Sequence, residues 1–364
     1  MRKCVLLLVM ILLLTVPCTA TEIQDTQAER PQTDELLDAL PDTAKELLPD
    51  FNPNSAKETQ NTINTIWKKA VDKVFPTIKT SLKTGATILL ILLLCQTVLT
   101  FSKGTSRNAV ILCGVVAIIT CAINSLEGVV ASGSSAIQEL GTFAKILMPV
   151  LGGALTASCA PASSAAISAV AIFAINLMVS LIEKVLIPAV YVYLSFAVAD
   201  VALVDVNTSR FQKLIGSGIK NVLKIVLFSF SALLSFTGIL SGKADAMTLK
   251  ATKMAISSVV PVVGGMISDA SETVLVGAGM LLHSVGLMGM LAILAIVIVP
   301  FLHLGIQYLI LQVVTALGAL FGCKEHTALT EAISAATGYL FAATCTCGLM
   351  CFVACICFMK VSVI

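Results

Sequence analysis

Apolar segments dominate the sequence from residue 85 onward, and they restrict the chain to a membrane protein. Ten of them follow one another with short polar interruptions: Gly85–Phe101, Ala109–Leu126, Ile146–Ala160, Ala162–Ile182, Val185–Val204, Val222–Leu240, Ala255–Ile267, Val274–Val299, Phe301–Phe321 and Ile333–Phe358. Only 12% of the residues are charged, whereas water-soluble domains contain about 25%. A helix needs about 20 apolar residues to cross the hydrocarbon layer. We therefore predict an all-α, polytopic membrane helical bundle with about eight to ten spans.

The N-terminus has the three parts of a secretory signal peptide. Arg2 and Lys3 precede the apolar run Cys4–Leu14, and small residues follow up to Ala20, where cleavage is expected. Cleavage would place the new N-terminus outside the cytoplasm. The predicted parts are a signal peptide (1–20), a short extracytoplasmic arm with an amphipathic helix (21–84) and a polytopic membrane domain (85–364).

The residue pattern of the arm changes at Ser55, from an acidic segment with several prolines to an amphipathic one. Residues 21–55 are acidic and punctuated by prolines, which indicates a flexible segment with short helices such as Asp34–Leu40. Beyond it, apolar residues recur at spacings of three and four, with lysines mostly elsewhere on the helical wheel, and Pro76 is expected to bend or break the helix. Two interpretations stay open: a helix that binds anionic lipid or a partner, and one that packs on its own membrane domain.

One short pattern occurs twice in the membrane domain. The segment Pro149-Val150-Leu151-Gly152-Gly153 is followed by Pro188, and a shift of 112 residues lays it on Pro261-Val262-Val263-Gly264-Gly265, which is followed by Pro300. This spacing predicts a duplicated core with halves at about 108–204 and 220–316. Proline lacks a donor and glycine adds backbone freedom, so broken helices lining a pore or solute site are one interpretation. The other is that the glycines let neighbouring helices approach closely.

Basic residues predict which loops face the cytoplasm. If the chain starts outside and both Gly-Gly segments cross the membrane, the basic residues near 103–107, those in the loop at 205–220 and Lys324 all lie inside. This agrees with the excess of lysine and arginine in cytoplasmic loops.

A few polar residues lie within or beside the apolar segments. Asp200 lies in a predicted span, and the shift of 112 residues puts Gln312 at its equivalent position. A buried carboxylate is costly, so Asp200 is either part of an ion or proton relay or an interfacial residue near a helix end. Asp269 and Glu272 follow the second Gly-Gly pair, where the first half has Ala157 and Ala160.

Motifs for catalysis and metal binding are missing from the sequence. The segment Gly238–Ala244 is one residue short of a phosphate-binding loop, and no His-Glu-x-x-His occurs. Five cysteines crowd the last apolar segment, but one straight helix cannot wrap a tetrahedral metal site alone. The near-neutral net charge of +2 argues against nucleic-acid binding. We predict no enzyme activity and no cofactor.

Taken together, the signal peptide, the arm with its amphipathic helix and the multispan domain containing Ile256–Glu272 resemble the stage III sporulation protein AE family of endospore-forming bacteria. The resemblance covers essentially the whole chain. It implies a place in the mother-cell membrane facing the forespore, within a multiprotein channel or secretion-like apparatus needed for late forespore gene expression. It also implies two kinds of partner, other stage III sporulation membrane proteins and a separate cytoplasmic ATPase.

The residues themselves leave a second function open. A self-sufficient secondary transporter would use broken helices at the interface of the two halves, together with Asp200. A carrier should move a solute in liposomes on its own, whereas a structural or conducting component of a larger assembly should not.

Overall fold

The fold is a bundle of long helices. The computed structural model describes residues 40–48, 56–103, 105–157, 161–202, 208–259, 264–322 and 324–361. Every element in these ranges is helical, which confirms the all-α prediction. The predicted signal peptide and Pro261 lie outside the described residues. The helices are α1 (Asp42–Lys45), α2 (Ala56–Phe101), α3 (Thr105–Ala157), α4 (Pro161–Leu181), α5 (Ile187–Ala202), α6 (Ser209–Val259), α7 (Gly264–Leu320) and α8 (Lys324–Val361), with a π-helical turn, Ile182–Leu186, joining α4 to α5.

The long helices alternate in direction. Only a few residues separate each long helix from the next, except that α4 continues through the π-helical turn into α5. Consecutive helices also contact each other, so short connections make neighbours antiparallel. The connections after α2, α5 and α7 therefore lie toward the same end of the bundle. Lys103, Arg210 and Lys324 lie at these three connections.

Six helical stretches within the described residues are long and apolar enough to cross a membrane. They are Thr62–Phe101, Ser106–Thr156, Ser164–Ala202, Ser209–Leu234, Ser284–Leu320 and His326–Met359. The prediction of a multi-pass membrane protein is thus confirmed.

The prediction of ten separate segments is wrong, because several predicted interruptions are helical. Residues 127–145 continue α3, residues 182–186 form the π-helical turn, and Pro300 lies inside α7. Polar residues such as those at 127–145 interrupt the hydropathy but not the backbone hydrogen bonds of a helix, and that stretch contains no proline. At its 53 residues, α3 is about 80 Å long, well beyond a bilayer of about 40–45 Å with its headgroups. The bundle therefore extends out of the membrane.

Helices α7 and α8 form the centre of the bundle. About 67% and 72% of the residues in their most apolar stretches are buried, against 17–28% in the other four spans. The inner pair is in contact along its length, and α2, α3, the α4–α5 unit and α6 pack around it.

Residues 40–48, within the predicted arm, pack on the bundle. Leu40, Ala44 and Leu47 in and around α1 are buried. Lys73 Nζ in α2 lies 2.7 Å from Glu46 Oε2, and the hydrogen bond and charge of Lys73 lower the pKa of the Glu46 carboxyl. The prediction of a flexible segment is therefore wrong for residues 40–48, where apolar side chains find a buried face. The predicted helix Asp34–Leu40 lies outside the described residues except for Leu40.

Helix α2 contains the predicted amphipathic segment and continues without interruption into the first apolar span. Pro76 lies inside it, so of the predicted bend or break, the break is wrong. Ile66, Ala70 and Val74 recur at intervals of four and are buried against the protein. The inward face thus agrees with the second interpretation, a helix that packs on its own membrane domain.

Candidate functional site

A seam of buried and partly buried polar side chains joins α3 to α7. Gln307 Nε2 donates to Ser125 Oγ at 2.6 Å, and His303 Nδ1 lies 3.2 Å from Ser132 Oγ. His303 and Gln307 are one helical turn apart on α7, and the two serines are two turns apart on α3. Such hydrogen bonds between membrane helices are typically worth about 0.6–2 kcal/mol. They fix the register of the two helices.

Gln307 lies at the junction of four helices, which we call the Gln307 junction. Its polar lining residues are Thr84 of α2, Ser125 of α3, Gln307 of α7 and Thr337 of α8, and its apolar ones are Ile88, Ala122, Leu126, Val129, Leu311 and Ile333. Gln307 is only 3% exposed, and its Oε1 atom accepts no hydrogen bond from the described residues. An unpaired polar atom in a buried site costs about 1–3 kcal/mol.

The inward face of α8 continues the polar lining. Five of its buried polar residues recur at helical spacing: His326, Thr330, Ser334, Thr337 and Thr344. His326 Nε2 lies 3.3 Å from the Ile111 carbonyl oxygen of α3, while Ser334 Oγ makes no hydrogen bond to the described residues. Sequence analysis did not identify these residues or Gln307. The sequence did contain a signal for the α8 residues, because polar residues three and four positions apart lie on the same face of a helix.

The first Gly-Gly pair does not break a helix. Helix α3 runs through Pro149 and ends only at Ala157, so of the two interpretations the broken helix is wrong for this segment. Gly152 instead packs tightly against α4. Ser164 Oγ donates to the Gly152 carbonyl oxygen at 2.6 Å, and a Cβ at Gly152 would lie 2.6 Å from Ser168 Oγ. Gly153 faces open space, with nothing within 4 Å of such an atom. The close approach of α3 and α4 therefore explains why a glycine occupies position 152.

The remaining predicted positions are dispersed through the bundle. Pro149, Pro188 and Gln312 are exposed, whereas Pro300 is buried inside α7. Gly264 and Gly265 open α7, and Asp269 and Glu272 follow in the same helix. Because α3 continues through its glycine pair whereas α7 begins at its own, the two patterns occupy different places in their helices. The duplicated core stays a prediction.

Asp200 connects two helices near their ends. Its Oδ1 atom accepts a hydrogen bond from the Thr208 backbone amide at 2.9 Å and lies 3.0 Å from Thr208 Oγ1. Thr208 directly precedes α6, so the carboxylate closes the connection between α5 and α6. This contact agrees with the interfacial role and uses one of the two carboxylate oxygens.

The Asp200 contact predicts a clear difference between two substitutions. Asp200→Asn keeps an oxygen that accepts from Thr208, so we expect sporulation and thermal stability close to those of the parent chain. Asp200→Ala removes the acceptor and should cost about 0.5–2 kcal/mol, as for loss of a helix cap. Spore counts and the melting temperature in detergent measure both effects. Loss of sporulation in a folded Asp200→Asn variant would instead favour the relay.

The last helix buries its cysteines in the protein. Cys347, Cys351 and Cys355 are almost fully buried in α8. Within the described part of the chain, no three His, Cys, Asp or Glu side chains converge as metal ligands.

Comparison with known proteins identifies the family. The model of the stage III sporulation protein AE family matches residues 48–362, which is most of the chain. The chain belongs to the stage III sporulation protein AE family. It is also similar to stage III sporulation protein AE of Bacillus subtilis (strain 168), with 24% identity over 347 residues, 92% of this chain and 87% of that relative. No solved structure matches the chain significantly. Family membership confirms the resemblance drawn from the sequence and implies a role in sporulation.

Proposed function

We propose that the chain is an integral membrane component of a multiprotein channel or secretion-like complex between mother cell and forespore. It would lie in the mother-cell membrane facing the forespore and be required for late forespore gene expression. The observation that carries the proposal is the family match across residues 48–362, which includes all the long helices. A multi-pass bundle with polar groups in its centre suits a conducting component.

The short connections between helices support the proposal that another protein supplies the energy for transport. Those after α2, α3, α5, α6 and α7 contain only a few residues each, too few to form a nucleotide-binding domain. Energy for transport would therefore come from a separate cytoplasmic ATPase, and other stage III sporulation membrane proteins would complete the complex. Lys103, Arg210 and Lys324 at one end of the bundle favour a cytoplasmic position for that end.

The secondary transporter receives less support from the described residues. It depends on broken helices at the interface of the two halves and on Asp200. The first Gly-Gly segment is a continuous part of α3, and Asp200 accepts a hydrogen bond from Thr208. We therefore favour a component that works only within its complex.

Two measurements test the proposed function. In a strain lacking the chain, a late forespore reporter should be silent and should recover when the parent chain is supplied. Affinity purification of the tagged full-length chain from sporulating cells should retain the ATPase and the other membrane proteins. Normal reporter expression without the chain contradicts the proposal, as does solute uptake by liposomes containing the purified chain alone.

A further inference from the structure

The Gln307 junction contains an unpaired hydrogen-bond acceptor. Gln307 Nε2 donates one of its two N–H groups to Ser125 Oγ, while Gln307 Oε1 accepts no hydrogen bond from the described residues. The hydroxyls of Thr84 and Thr337 donate to carbonyl oxygens of their own helices, at 3.2 and 3.1 Å, so toward the junction they offer lone pairs. A ligand that pairs with Gln307 Oε1 must therefore donate a hydrogen bond.

The lining residues also limit the charge and size of the ligand. None of them is charged, so there is neither a carboxylate to bind an organic cation nor a base to bind an anion. The space between the side chains is smaller than a water molecule. Water is the smallest neutral donor, and for it to enter, the helices that line the junction would have to separate.

The unpaired acceptor at the Gln307 junction destabilises the fold unless water binds to it at some stage. An apolar residue at position 307 would avoid the unpaired acceptor, and irregular or unpaired polar groups at membrane depth occur where they line a water-filled cavity. The polar face of α8 extends the lining on both sides of Thr337, through Ser334 and Thr344. These groups would form a path through the bundle centre once the junction opens.

We propose that the Gln307 junction is a water-binding constriction, closed here, on a path for small polar solutes along α3, α7 and α8. This inference deepens the proposed channel function and rests on it for the role of the path. Hydration of the junction is a property of the chain alone and can be measured separately.

Residue-specific thiol labelling tests hydration directly. A Thr337→Cys variant of the full-length chain, in native membranes, would be treated with 2-aminoethyl methanethiosulfonate, which reacts with thiolates in water. Peptide mass spectrometry would quantify each cysteine. We expect labelling at position 337 at least about tenfold faster than in Ala336→Cys, since thiolate formation needs an aqueous environment. Ala336 is a fully buried neighbour on the same helix. The buried native Cys347 and Cys351 provide internal controls.

A second substitution connects labelling to the glutamine. Gln307→Leu should slow labelling of Thr337→Cys severalfold, whereas Gln312→Leu, at an exposed glutamine on the same helix, should leave it unchanged. If Gln307→Leu does not fold, Ser125→Ala provides a milder change with the same expectation, because it removes the hydroxyl that orients Gln307.

The possible results distinguish hydration of the junction from its role in the proposed channel. Because the proposed path carries small polar solutes, and the reagent is a solute of that kind, labelling at position 337 no faster than at 336 overturns the hydrated constriction, whatever the phenotype. If labelling occurs as expected but Gln307→Leu cells sporulate normally, the hydrated junction stands and its part in the proposed channel is refuted. Equal effects of Gln307→Leu and Gln312→Leu on labelling refute the role of Gln307.

Discussion

Gly152→Leu should disrupt the packing of α3 against α4 and lower the stability and amount of folded protein in the membrane. Even a Cβ atom at this position would lie 2.6 Å from Ser168 Oγ and 3.3 Å from Ser164 Oγ. A leucine adds three more carbons in the same direction and also displaces the hydroxyl that donates to the Gly152 carbonyl oxygen. Overpacking of this kind costs about 1–3 kcal/mol, and a clash between two helices is at the upper end or above.

The adjacent glycine provides the matched control. Gly153→Leu introduces the same side chain one residue away, where nothing lies within 4 Å of an added Cβ. We expect near-normal membrane abundance and melting temperature for Gly153→Leu and a loss of several degrees, or of most folded protein, for Gly152→Leu. Immunoblots of membranes and size-exclusion chromatography in detergent would measure this. Equal behaviour of the two variants would show that the helices do not meet at Gly152.

The class of the fold was predictable because lipid leaves few choices for a backbone. Apolar segments as long as Val274–Val299 have to satisfy their hydrogen bonds internally, which makes them helices. The inward face of α2 was equally visible, since Ile66, Ala70 and Val74 repeat at helical spacing.

The ends of the helices were not predictable from hydropathy. Residues 127–145 look like a loop because they include glutamate, glutamine and lysine, yet they continue α3. A charged side chain on the surface of a helix removes no backbone hydrogen bond, so polarity alone does not end a helix. Proline was likewise a poor guide, because Pro76, Pro149 and Pro300 all lie inside helices.

The polar seam was hidden for a different reason. Ser125 and Gln307 are 182 residues apart, and each alone resembles an isolated polar residue in an apolar segment. Only the antiparallel register of α3 and α7 brings them together. By contrast, the sequence pointed to Asp200 as a candidate site because it is charged, although its carboxylate accepts a hydrogen bond from the nearby Thr208. In a membrane bundle, pairs of neutral polar residues are therefore easier to overlook than single charges.

Phe143→Ala should destabilise the bundle strongly, whereas Phe173→Ala should not. Phe143 of α3 is 1% exposed, and Phe173 of α4 is 70% exposed. In water-soluble cores, Phe→Ala costs about 3–5 kcal/mol through lost transfer energy and the cavity that remains. Because helices in lipid associate without a hydrophobic driving force, only the packing part applies fully, and we expect about 2–3 kcal/mol for Phe143→Ala.

Equilibrium unfolding in mixed detergent would measure the difference, with the fluorescence of the single tryptophan, Trp67, as one probe and helical circular dichroism as the other. Phe173→Ala removes the same atoms from a surface that faces lipid or a partner, so the isolated chain should keep its unfolding midpoint within about 0.5 kcal/mol. If Phe173→Ala destabilised the purified chain as much as Phe143→Ala, the outer face of α4 would be buried in the folded chain and the arrangement of α3 and α4 described above would be wrong. If Phe173→Ala lowered sporulation but not stability, that face would instead contact another component of the complex.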